Sequence, residues 1–96
     1  MRSVWANAET ESAYKALLDQ PEGTYIPRSP RLGESVTEFA DRLHWVAMAL
    51  TKVAPMLDNS ALRQWLSRCP AWDKVDWAQV AEALDRMAHR QGQEAA

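Results

Sequence analysis

The residues of this chain that could carry covalent or acid-base chemistry are few and scattered. There is one cysteine, Cys69, two histidines, His44 and His89, and carboxylates spread along the sequence. Catalysis needs a nucleophile, a base and an orienting group within hydrogen-bond reach, and no short spacing here assembles such a set. Cys69 follows the apolar face Leu62, Trp65, Leu66, where a free thiol behaves as a small hydrophobe rather than a reactive group. His44 falls on the flank of a helical pattern and reads as a rim histidine. His89, beside Arg86 and Arg90, reads as a cation at the negative end of a helix. Zinc would want several Cys or His ligands at short spacings, and there is no glycine-rich phosphate loop or paired-carboxylate motif. The expectation is a protein that is not an enzyme and holds no metal or cofactor.

Recognition chemistry is better represented. Trp5, Trp45, Trp65, Trp72 and Trp77 make five tryptophans beside one Phe and two Tyr. Trp65 and Trp77 lie on apolar stripes and suit a core. Trp45 lies opposite the main stripe of its helix, with Met48, Ala49, Lys52 and Met56, and Trp72 sits in the connection PAWDKVD. Tryptophan is enriched at interface hot spots because one side chain buries a large apolar area while its ring N–H keeps a polar contact. Trp45, Met48, Ala49, Lys52, Met56 and Trp72 are therefore the candidate protein-interface residues. The alternative for Trp45 is burial beneath the fourth helix. Arg28 and Arg31, in R-S-P-R, form either a solvated loop or a docking segment for an acidic surface.

These residues are positioned by one long helix. Val36, Phe39, Leu43, Val46, Leu50, Val53 and Leu57 recur at spacings of 3, 4, 3, 4, 3 and 4, an a/d stripe widened by Ala40, Ala47 and Ala54. Ser35 and Glu38 form a capping box at its start, and Pro55 ends or kinks it near Val53. A first helix is expected over 8–19, with Asn7 as N-cap and Ala13, Tyr14, Leu17 and Leu18 as its apolar edge. A short third helix is expected over 61–68 behind caps at 58–60. A fourth starts at Asp76, with Gln79 at its third position, a Val75–Val80 staple, a stripe through Trp77, Val80, Ala81, Leu84, Met87 and Ala88, and Gly92 as its C′ residue. Residues 20–34 hold three prolines and two glycines and cannot be regular. The loop is expected to be packed down by Tyr25, Ile26 and Leu32; the alternative is a segment mobile until something binds it.

The 96 residues, 47% hydrophobic and 25% charged, have an ordinary globular composition. They predict a single all-α domain: a small bundle of about four helices around one long central helix, with a frayed C-terminus at 92–96. A formal net charge of −2 gives no field that would draw the whole molecule to nucleic acid or an anionic membrane. A lone cysteine suits a reducing compartment. No segment approaches the ~20 apolar residues of a membrane span, and the N-terminus has no run suited to a signal peptide, so a cytoplasmic location is expected.

The order of an acidic first helix (ANAETESAYKALL), a Pro/Arg loop (YIPRSPRLGE) and a long apolar helix (TEFADRLHWVAMAL) resembles the small bacterial antiactivators of quorum sensing that bind LuxR-type receptors. That resemblance implies a non-enzymatic inhibitor that binds a LuxR-type transcriptional regulator and prevents its dimerisation or DNA binding. The expected function is a protein-binding regulator that masks a partner's interaction surface and self-associates as a homodimer. A helix-turn-helix-like DNA-binding regulator, reading through Arg63, Gln64 and Arg68, is the alternative, and a structural subunit of a larger assembly is a third. Nucleic acid is disfavoured because the third helix is short and lacks flanking lysines.

Overall fold

Four local capping signals set where the helices of this protein begin. In the computed structural model, which describes residues 4–21 and 23–95 with side chains as far as His89, the Asn7 side chain accepts from the Thr10 N–H and opens α1 (Ala8–Leu18). Ser35 and Glu38 make the reciprocal capping box of α2 (Val36–Val53). Asn59 accepts from the Leu62 N–H at the head of α3 (Ser60–Arg68), and Asp76 accepts from the Gln79 N–H at the head of α4 (Trp77–Ala95). Each cap satisfies backbone donors that have no partner inside the helix. The described residues form an all-α bundle without strands.

α2 is the central element and packs chiefly against α4. Phe39, Leu43, Ala47 and Leu50 are buried in one core with Val80, Ala81 and Leu84 of α4, and with Ala13 and Leu17 of α1. The seam differs from the a/d stripe in its second half, where Val53 and Leu57 are exposed and Ala47 and Ala54 are buried. A straight α-helix has 3.6 residues per turn, so a strict seven-residue repeat drifts about 20° per heptad. The core line therefore leaves Val46 and Val53 on the flank and passes through the alanines. Pro55 ends the α-helix as expected. A 3₁₀ turn follows at Ala54–Met56, and Leu57 is extended.

The loop at 20–34 is packed by Ile26, as expected, but not by Tyr25 or Leu32. Ile26 and Thr24 are buried, whereas Tyr25 is 88% and Leu32 108% exposed. The Gln20 amide ties the loop to α1: Nε2 donates to the Leu17 and Ile26 carbonyls and Oε1 accepts from the Ile26 N–H. Thr24 donates to the Pro21 carbonyl. Gly23 has φ 89°, and a Cβ there would stand 3.1 Å from Asn59 Nδ2, so this turn suits glycine on both counts. Leu18, expected on the apolar edge of α1, is also exposed.

α1 and α4 are joined end to end by side-chain capping across the chain. Thr10 Oγ1 accepts from the Asp76 N–H at 2.9 Å, and Asn7 Nδ2 donates to the Lys74 carbonyl at 2.9 Å. Gln79 does not complete a capping box with Asp76. Its amide accepts from the Ala6 N–H and donates to the Val4 carbonyl, holding the bent lead into α1. The Val75–Val80 staple is buried as expected. Gly92 does not end α4, which continues to Ala95; the side chain of Arg90 lies outside the described residues.

Candidate protein-contact face

The inner side of α2 is covered by α4 and by a 3₁₀ turn at Trp72–Lys74, and its outer side is left uncovered by the described residues. Trp45 is 72%, Met56 77% and Met48 39% exposed. Lys52 is exposed and Ala49 half-buried. Spacings of 3 and 4 from residue 45 through 48 and 52 keep these positions on one side of α2, and Met56 follows in the 3₁₀ turn. Burial of Trp45 beneath α4, the alternative reading, does not occur. Val53 and Leu57, assigned by their spacing to the core, join the outer surface instead. Exposed Trp45 and Met48 on one helical face are apolar surface of a kind that soluble monomers seldom leave uncovered.

Trp72 is a correction. It is 6% exposed, and its ring sits between Trp65 and Trp77 at centroid distances of 6.3 and 5.7 Å. It is a core residue and cannot meet a partner. Its Nε1 donates to Thr51 Oγ1 at 2.8 Å, while Trp77 Nε1 donates to the Trp72 carbonyl and Trp65 Nε1 to the Ala16 carbonyl. The three buried tryptophans thus have their ring N–H groups satisfied internally, as buried donors require. None of the described hydrogen bonds uses the ring N–H of Trp45. His44 is half-buried and stacks on Trp77 at 5.5 Å, 16° from parallel, closing one edge of this aromatic row.

Arg28 and Arg31 are both exposed. Arg28 lines a shallow hollow of about 600 Å³ with Gln20, Pro21, Gly23, Tyr25 and Ile26. The loop's C-terminal end is fixed by an ion pair with no local sequence signal. Arg42 of α2 reaches back to Glu34 with two parallel bonds, Nε to Oε2 at 2.9 Å and Nη2 to Oε1 at 2.7 Å. The Arg31 N–H also donates to Glu34. These bonds hold the Glu34 carboxyl down at about 2, well below its ordinary range. The Arg42 guanidinium also lies 5.4 Å above the Phe39 ring, a favourable cation–π position.

The groups considered for chemistry are placed apart. Cys69 is half-buried, its thiol donates to the Trp65 carbonyl at 3.2 Å, and burial pushes its pKa up to about 11. It is held as a neutral thiol, the unreactive form. His89 sits 3.3 Å from Asp85 on α4, two turns short of the helix end, so it does not cap the C-terminus. No group of three or more metal-ligating side chains occurs among the described residues, and no described helix is long and apolar enough to cross a membrane. On α3, Arg63, Gln64 and Arg68 are exposed while Leu62 and Trp65 face the core. Comparison of the chain with family models, curated proteins and solved structures finds no match.

Proposed function

We propose that this protein is a non-enzymatic, protein-binding regulator that acts by masking an interaction surface of its target with the outer face of α2. The reading rests on one observation: Trp45 and Met48, with Met56 in the 3₁₀ turn that follows, are exposed apolar side chains on and just beyond a helix whose other side is buried in the core. A flat, rigid helical face with an aromatic anchor at one end suits occlusion of a partner's apolar groove or helix. The resemblance to antiactivators makes a LuxR-type regulator, met in the cytoplasm, the target to try first. Arg28 and Arg31 lie on a separate exposed loop and would serve as an accessory contact for an acidic rim.

The test is capture of a purified LuxR-type receptor by the wild-type chain and by the paired variant Trp45→Ala, Met48→Ala. Association should weaken by about 2 kcal/mol or more, with the unfolding midpoint close to wild type because no internal cavity is made. Unchanged capture by the paired variant would remove the face from the mechanism. The exposed Arg63, Gln64 and Arg68 of α3 are what a DNA-binding reading would use. Salt separates the two: phosphate contacts lose affinity steeply as salt rises, whereas apolar occlusion does not.

A further inference from the structure

The outer face of α2 carries charge as well as apolar surface, and the order of the charges is informative. At about 100° per residue, Asp41, Trp45, Met48 and Lys52 fall within an arc of about 60°. That arc is centred opposite the buried line of Phe39, Leu43, Ala47 and Leu50. Asp41 lies three turns, about 16 Å, before Lys52, with Trp45 and Met48 between them. Asp41 and Lys52 are both exposed, and neither has an ion-pair partner among the described residues. An acid at one end, a base at the other and an aromatic–thioether pair between make a surface complementary to itself when reversed.

We infer that the face is covered by α2 of a second copy of this chain, packed antiparallel about a two-fold axis at the level of residues 46 and 47. In that register Asp41 of each protomer faces the partner's Lys52, and Trp45 faces the partner's Met48. Each contact occurs twice, as a two-fold interface requires. Sulfur–aromatic contacts are favourable, and the paired charges set the register rather than the bulk of the affinity. A parallel pairing would set Asp41 against Asp41 and Lys52 against Lys52. An antiparallel pairing shifted by one turn would leave Asp41 opposite the partner's Met56. The inference deepens the proposal that this face contacts protein: self-pairing covers the stripe when no target is engaged and competes with target binding.

Sedimentation equilibrium of the full chain and two charge reversals tests this register. Wild type should show a reversible monomer–dimer equilibrium. Asp41→Lys and Lys52→Asp should each weaken it by about ten-fold or more, because each sets like charges opposite one another. An equimolar mixture of the two variants should associate as well as wild type, since the mixed pair regains both opposite-charge contacts. Trp45→Ala should weaken the dimer by about thirty-fold. A wild type that stays monomeric, charge reversals without effect, or a mixture no more associated than its components would each overturn the inference. A monomeric wild type whose receptor binding is still lost on Trp45→Ala overturns self-pairing and leaves the masking proposal standing; loss of neither interaction overturns both.

Discussion

The two sides of α2 are built from similar residue types and have opposite fates. Phe39, Leu43, Ala47 and Leu50 are buried, while Trp45 and Met48, a turn or less away along the same helix, stand in solvent, as does Met56 in the 3₁₀ turn that follows. Apolar spacing says that a face needs covering; it does not say that the chain has an element left to cover it. Here α4 and the Trp72–Lys74 turn are spent on the inner side. The tryptophans repeat the lesson. Trp72, in a stretch without helical periodicity, is locked between two other indoles, and Trp45, on a well-formed helix, is not. Exposure therefore follows from where neighbouring elements run, and the contrast between the inner and outer sides can be broken or sharpened by substitution.

The largest effect is expected at Trp72. Trp72→Ala empties the middle of the Trp65–Trp72–Trp77 row and leaves Thr51 without its donor, so it should cost about 3 to 5 kcal/mol. Chemical denaturation giving a loss below about 1 kcal/mol would mean that the site is not a tightly packed core. Leu43→Ala should follow at about 2 to 5 kcal/mol, a large share of the roughly 5 to 15 kcal/mol available to a domain. An unchanged denaturation midpoint would show that the seam lies elsewhere on α2.

Trp45→Ala is the mirror of these. It should leave stability within about 0.5 kcal/mol of wild type while weakening association by about 2 kcal/mol. A loss of stability comparable to that of Trp72→Ala would return Trp45 to the core and erase the difference between the two sides. The smallest effect concerns the loop anchor. Arg42 holds the Glu34 carboxyl at about 2 in the fold against an ordinary 4.5. Its contribution to stability is therefore complete above the ordinary value and is lost as pH falls from there through about 2. Arg42→Gln should move the Glu34 midpoint, followed by carboxyl NMR, back toward the ordinary range and remove this part of the acid sensitivity. A midpoint that does not move would show that the Arg31 N–H alone sustains the shift.

Much of the fold was legible because its signals are local. Asn7, Ser35 with Glu38, and Asp76 each mark a helix start by satisfying a donor three residues on, and Pro55 marks a stop by lacking one. The outer stripe was legible for the same reason, since spacing alone places residues 45, 48 and 52 on one side. Less legible was the last part of the seam, where a heptad reading and a straight helix diverge enough to turn Val53 outward. The Arg42–Glu34 pair had no signal at all, because it joins a residue just before the Ser35 cap to one inside α2, outside the i,i+3 and i,i+4 spacings that mark helical ion pairs.

By itself, then, the chain determined four helices, their N-terminal boundaries and the presence of two apolar sides on α2, because capping and periodicity act within one or two turns. Only the tertiary structure decided which side is covered, that Trp72 goes inward, and that Ile26 rather than Tyr25 or Leu32 holds the loop. Those outcomes depend on contacts such as Trp72 with Thr51 and Thr10 with Asp76, made across 21 and 66 residues of chain. Such contacts form only when the backbone path has already brought distant segments together, and no local pattern encodes that path.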